Sequence, residues 1–312
     1  MSWSQWITQK IVRFALKGIL ADQAAVDKFL RNEAAKTKKG PYSIPAKLKN
    51  AYSVSLLSNA SCPTHVIAPK NEEPESIIIY FHGGAYAGVL DDIHITGLSN
   101  FLKEFGKVAF VIPEYPLTPN STHTKIFETA EAVYREVVAN WPTKKIALMG
   151  DSAGGGMSLI VAQRLAAAKK YGDSIKQPDS VVLLSPWLDV SMSNPECAAV
   201  APSDPFLDVY GLKVLGELVA GGPDPVSTKD PKVSPLFGSL EGLPPVSVWT
   251  GSHDLLIPDS RALRDRFQNE GISTRFRYNE EAFMIHCWVL FGMPESKKAI
   301  KEIWQAIQED FA

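Results

Sequence analysis

Cysteine is scarce in this chain. Three occur in 312 residues, Cys62, Cys197 and Cys287, far apart and with no C-x-x-C pair. That excludes a disulfide framework and a cysteine-based zinc site, and it points to a reducing, cytoplasmic setting. Neither sign of charge is in excess: 32 Lys and Arg face 34 Asp and Glu, for a formal net charge of −2. Net charge therefore makes no case for a nucleic-acid or anionic-membrane partner. Long apolar runs are missing from the N-terminus. In MSWSQWITQKIVRFALKGIL, Lys10, Arg13 and Lys17 interrupt every hydrophobic stretch, so neither a secretory h-region nor a membrane span forms there. No internal repeat or low-complexity segment is visible.

What is present is ordinary globular composition, 45% hydrophobic and 21% charged, enough for a large core. Near the start, Trp3, Ile7, Ile11, Phe14 and Leu20 recur close to helical spacing. This predicts an amphipathic helix packed on the rest of the protein. The mixture of Trp with basic residues leaves weak association with a membrane surface as a second reading.

Further on, short apolar runs bounded by turn residues predict strands at 51–58, 64–69, 76–81, 107–112, 144–150, 180–185, 245–251 and 274–279. Helical patterns lie at 92–105, 124–139, 153–169, 259–269 and 295–310. Strands alternating with helices predict an α/β fold with a mostly parallel sheet covered on both faces. The interval from Leu188 to Thr228 breaks the alternation and holds no buried strand. An insertion after the carboxyl end of a parallel strand lies on the ligand-binding side, so it reads as a lid. The expected organisation is an N-terminal helical part of a cap at 1–48, core at 49–187, a cap insertion at 188–228, and core again at 229–312.

The strand at 144–150 runs into Gly150-Asp151-Ser152-Ala153-Gly154, and a helix pattern starts at once. This is G-x-S-x-G in a strand–turn–helix context, which presents a serine hydroxyl above the sheet edge. Ser152 is the candidate nucleophile. It needs a base, and the base needs an orienting acid, in the chain order serine, acid, histidine. His286 in EEAFMIHCWVLF is the candidate base. Asp254 in WTGSHDLLIPDS is preferred as the acid over Asp259, which is better placed to cap the next helix, and His253 reads as a turn residue.

The strand at 76–81 ends in His82-Gly83-Gly84, where side-chain-free amides can approach a reacting oxygen. Gly83, Gly84 and Ala153 are expected to donate N–H groups to an oxyanion. His82 and Asp151 are expected to brace them from behind.

With these residues placed, the chain resembles the hormone-sensitive-lipase-like esterases of the α/β-hydrolase superfamily. The matching stretches are YFHGGAYAG, PEYPLTPN, MGDSAGGGMSL, LLSPWLDVSMSNP, DPKVSPLFGSLEGLPPVSVWTGSHDLLIPDS and MIHCWVLF, spanning residues 76–291. SPWLD and H-C-W-x-x-F are similar to the bacterial and fungal branch that includes steryl acetyl hydrolases. The resemblance implies the α/β-hydrolase fold with a helical cap, and the same triad and oxyanion residues. Two stretches depart from the family pattern. HGGG is HGGA here, with Ala85 in the third position, and PEYPLTPN replaces the commoner Tyr-Arg-Leu-Ala-Pro-Glu.

The expected activity is a serine carboxylesterase acting on short-to-medium acyl esters, acetyl esters included, with no metal or organic cofactor. Expected pocket walls are Tyr86, Trp187, Phe206, Leu207, Met284 and Ile285, with Phe283 and Trp288 beside them. Kynurenine-formamidase-like amide hydrolysis is the alternative, since HGG-x-aromatic loops occur there too. A receptor that only binds ligand on this fold is disfavoured by the presence of His286. The partner expected is a small ester, with a homodimer through the cap segments as a further option.

Overall fold

The computed structural model describes residues 1–312, the side chain of Leu16 excepted. Eight strands form one sheet: β1 (Ser53–Leu56), β2 (Thr64–Ala68), β3 (Ser76–Phe81), β4 (Val108–Pro113), β5 (Lys145–Asp151), β6 (Ser180–Leu184), β7 (Val246–Gly251) and β8 (Phe276–Glu281). Their order is β1-β2-β4-β3-β5-β6-β7-β8. The pairs β1–β2 and β2–β4 are antiparallel; the other five are parallel.

The apolar runs at the centre of the sheet are continuous because both faces are covered. Successive side chains on a strand point to opposite faces. Ile77, Ile79 and Phe81 of β3, with Ile146 and Leu148 of β5, join one core. Ile78 and Tyr80, with Ala147 and Met149, join the other. The first core is closed by α5 (His123–Asn140), α6 (Ala153–Lys170) and α9 (Ile257–Asn269); the second by α4 (Asp92–Phe105) and α10 (Pro294–Phe311). Apolar stripes on these helices make the seal, for example Ile126, Ala130, Val133 and Val137 of α5.

Three N-terminal helices precede the sheet: α1 (Trp3–Leu16), α2 (Gln23–Thr37) and α3 (Ala46–Ala51). The insertion after β6 holds α7 (Glu196–Val200) and α8 (Val209–Ala220). These two groups meet. A Cβ on Gly211 of α8 would lie 2.4 Å from Leu20 Cβ, and Lys17 pairs with Asp208 at 3.0 Å while donating to the Leu207 carbonyl at 2.8 Å. The insertion opens on a turn pinned by Asp189, whose carboxylate accepts from Ser191 N (2.8 Å) and Ser193 Oγ (2.7 Å).

The N-terminal helix packs the opposite way from the sequence expectation. Trp3 is 79% exposed, Ile11 62% and Phe14 95%; Leu20, beyond the helix, is buried. The face turned inward carries Val12, buried in the core, beside polar side chains. Gln5 and Gln9 donate to the carbonyls of Ala282 and Phe283, and Arg13 to that of Pro202. Free backbone carbonyls on the loops beneath hold the helix by hydrogen bonds, so the apolar stripe is left outside.

Candidate active site

The parallel strands deliver three loops to one edge of the sheet, and the chemistry-bearing residues sit there. Ser152 occupies the turn between β5 and α6 with φ 53° and ψ −120°, a conformation that costs a non-glycine residue about 1–3 kcal/mol. The surroundings enforce it. Ser152 N donates to the Leu184 carbonyl (2.9 Å), and Trp187 N donates to the Ser152 carbonyl (2.8 Å). The flanking glycines are steric necessities: a Cβ on Gly154 would lie 1.9 Å from the Phe81 carbonyl oxygen, and one on Gly150 would lie 2.3 Å from that of Gly154. Positioned at the start of α6, Ser152 also meets the positive end of the helix dipole.

His286 sits on the loop after β8 and Asp254 on the loop after β7. The two loops are tied by His253 N donating to the Met284 carbonyl at 2.8 Å. His286 Nδ1 donates to Asp254 Oδ1 at 3.0 Å, both side chains being buried. Asp254 Oδ1 also accepts from Leu256 N at 2.9 Å, which fixes the carboxylate. Burial disfavours a charged imidazole, but the Asp254 carboxylate, its hydrogen bond, and the charges of Asp204 and Asp151 outweigh that, and the net shift of His286 is upward. Among the described residues no hydrogen bond joins Ser152 Oγ to His286; the two share the wall of one cavity of about 790 Å³.

Asp259, the other candidate acid, makes no hydrogen bond to the His286 imidazole and does not cap a helix. Helix α9 begins two residues earlier with Leu256 as its N-cap, and Asp259 is buried in the first turn. It accepts from Asn194 Nδ2 at 3.1 Å. Burial pushes its carboxyl up to about 7, with a further push from Asp189.

One expected oxyanion donor is already engaged. Gly83 N donates to Asp151 Oδ1 at 2.9 Å, and a Cβ on Gly83 would lie 2.3 Å from Asp151 Oδ2. The same Oδ1 accepts from Tyr80 OH at 2.5 Å. Gly83 therefore anchors the loop, and it does not line the cavity. Gly84 and Ala85 do, and neither of their amides is among the loop hydrogen bonds, nor is that of Ala153. The loop turns through left-handed backbone at Gly84 (φ 107°), Ala85 (φ 53°) and Tyr86 (φ 58°). His82 lies behind it, its Nδ1 2.8 Å from the Gly83 carbonyl and its ring stacked on Tyr115 at 4.4 Å. Burial, with the neighbouring His94, lowers the His82 imidazole to about 4, so it is neutral at working pH.

Of the expected pocket walls, Phe206 and Leu207 line the cavity. Tyr86, Trp187, Met284, Ile285 and Trp288 do not. They point into the cores, Tyr86 stacking with Trp187 at 5.8 Å, while Phe283 is 42% exposed on the outside. Apolar residues in loops beside an active site pack the loops as readily as they line a pocket, and here packing wins. The other walls come from distant segments: Leu20, Phe29 and Glu33 from the N-terminal part, Leu212 from α8, and Leu290 beyond His286. A second cavity of about 920 Å³ shares Lys36, Val89, Asp91 and Ile93 with the first but reaches neither Ser152 nor His286.

Sequence reasoning missed Asp204. It lies in the insertion, fully buried, and its carboxylate accepts from Phe206 N (2.7 Å), Leu207 N (2.9 Å) and Leu255 N (2.7 Å). It thus ties the insertion to the residue after Asp254. Burial and the Asp254 charge push its carboxyl up. An acid within Asp-Pro in an otherwise loop-like stretch carries no signal of this role. His94 was missed as well. It lines the cavity between Asp91 (2.9 Å) and Asp151 (3.9 Å), and those carboxylates raise its imidazole against the effect of burial.

Residues 78–290, more than half of the chain, match a family described as the alpha/beta hydrolase fold. The chain belongs to that family. Among its relatives are an acetyl-hydrolase of Streptomyces hygroscopicus, 29% identical over 77% of this chain and 77% of that one, and an esterase of Acinetobacter venetianus, 26% identical over 73% of each. The crystal structure of EstE5 soaked by ethyl alcohol superposes with a TM-score of 0.81 at 25% identity, covering 99% of both chains. As an α/β-hydrolase, the chain carries its candidate residues on the loops that follow β3, β5, β7 and β8.

Proposed function

We propose that this α/β-hydrolase is a serine carboxylesterase, with Ser152 as nucleophile, His286 as base and Asp254 as orienting acid. The observation that carries the reading is the convergence of Ser152, on its strained turn, and the Asp254-paired His286 on one cavity. Ser152 Oγ attacks the ester carbonyl carbon while its proton passes to His286 Nε2. The amides of Gly84, Ala85 and Ala153 hold the oxyanion. Collapse breaks the bond to the alcohol oxygen, which leaves with the proton from His286. Water then attacks the acyl-enzyme, giving its proton to His286, and the carboxylic acid departs as Ser152 Oγ is reprotonated. Asp254 keeps the Nδ1 proton facing itself and favours the imidazolium that forms in each half.

N-terminal helices and the insertion form the cap in this reading, since both line the cavity. Its apolar walls, Leu20, Phe29, Phe206, Leu207, Leu212 and Leu290, hold far more volume than an acetyl group needs. Short-to-medium acyl esters of a bulky apolar alcohol suit that space. The test is fluorophosphonate labelling with peptide mapping, together with a p-nitrophenyl ester series. Label on Ser152, loss of kcat by about 10⁴-fold or more in Ser152→Ala, and a rate maximum at short-to-medium chains are expected. Label elsewhere, or an active Ser152→Ala, overturns the mechanism.

A further inference from the structure

We infer that the outer face of helix α1 is a docking surface for an anionic lipid bilayer. Val12 of this helix is buried in the core, but four large apolar side chains turn outward, whereas the apolar stripe of a surface helix normally faces inward. Gln5, Gln9, Arg13 and Lys17, spaced four residues apart, turn inward and bond to the body of the protein. Trp3, Trp6, Ile11 and Phe14 are turned to the outside, at 79%, 46%, 62% and 95% exposure. Such a cluster of large side chains is costly to leave in water and marks an interaction surface.

Charge and chemistry name the occupant. Of the basic residues in the first twenty, Arg13 and Lys17 are held against the body, Lys17 by Asp208, so the cation offered on the outer face is Lys10, in a stretch that contains no acidic residue. Lys10 lies over the Trp6 ring at 5.7 Å, among the exposed aromatics. Tryptophan beside a cation suits the headgroup layer, where the ring is half buried and the ammonium meets lipid phosphate. The site is also continuous with the cavity. Lys17, Gly18, Ile19 and Leu20, which follow the helix directly, line its wall. A bilayer held on α1 therefore lies beside the cavity that contains Ser152. The docking itself does not depend on ester hydrolysis.

The experiment is co-flotation of the full chain with vesicles of equimolar phosphatidylcholine and phosphatidylglycerol, and with phosphatidylcholine alone. The wild-type chain is expected to float with the anionic vesicles, more weakly as salt rises. The double variant Trp3→Ser/Phe14→Ser is expected to partition at least about tenfold less, since each ring loses its apolar burial. Lys10→Glu is expected to be selectively weaker on anionic vesicles. Both variants should melt with the wild type and hydrolyse p-nitrophenyl acetate at its rate, which separates lost docking from lost folding. A wild-type chain that stays behind, or a double variant that floats as well as the wild type, overturns the inference. So does a chain that dimerises through Trp3 and Phe14 and ignores vesicles, because the face would then belong to a second copy.

Discussion

Replacing Asp151 tests how the loop after β3 is held. Its Oδ1 accepts from both Gly83 N (2.9 Å) and Tyr80 OH (2.5 Å) in a fully buried setting. Asp151→Ala leaves both donors without a partner. Hydrogen bonds to a charged group are worth about 1.5–3 kcal/mol each, so the loss should total about 3–6 kcal/mol. For a chain of this size that lowers the melting temperature by about 5–9 °C. Activity should fall further than stability explains. Gly83 anchors the segment that presents Gly84 and Ala85, and one misplaced oxyanion donor costs about 10²–10³ in kcat. Asp151→Asn keeps an acceptor in place and should recover most of the stability and kcat. The assays are thermal unfolding by circular dichroism and steady-state kinetics on p-nitrophenyl acetate below the melting range. An Asp151→Ala enzyme with wild-type melting and kcat would refute the anchoring argument. An Asn variant as impaired as Ala would show that charge, not hydrogen bonding, holds the loop.

Two further predictions concern protons. His286 is shifted upward, so the imidazole must lose its proton above its ordinary value before it can act as a base, and the acid limb of kcat/KM should lie above pH 6.5. Asp204 contributes to that shift, and Asp204→Asn should move the limb to lower pH; a limb that stays or rises contradicts the placement of this acid. Burial raises the Asp259 carboxyl to about 7 from its ordinary 3.8, so between those values the folded state holds a proton that the unfolded state has lost. The stability it contributes is full below 3.8 and is lost as pH rises through about 7. Relative to Asp259→Asn, the wild type should therefore lose about 3 kcal/mol between about pH 5 and about pH 8 in urea unfolding, and equal slopes would count against the buried carboxyl.

Much of this was legible in the residues because it is local. The apolar runs of β3 to β7 announce themselves, since a strand buried on both faces has no polar alternation to confuse it. Helix α4 begins and ends where its pattern does, at 92 and 105, with Asp91 as a capping residue. The serine turn is equally local: Gly150 and Gly154 are required by contacts a few residues away in chain or one strand over. Helix α1 misled because a stripe on a helical wheel says which residues share a face, not whether that face has anything to cover.

Local pattern determined the order of strands and helices, the sharp turn at Ser152, and the glycine loop at the mouth of β3, since each depends on near neighbours and on backbone sterics. Chain order and helix position already favoured Asp254 over Asp259, but tertiary structure alone decided that its Oδ1 meets His286 Nδ1, that Asp151 takes the Gly83 amide, and that Asp204 crosses from the insertion to the Asp254 loop. Those choices turn on which acid a folded loop carries within 3 Å of a particular donor, and residues 32, 68 and 51 positions apart have no common periodicity to record it.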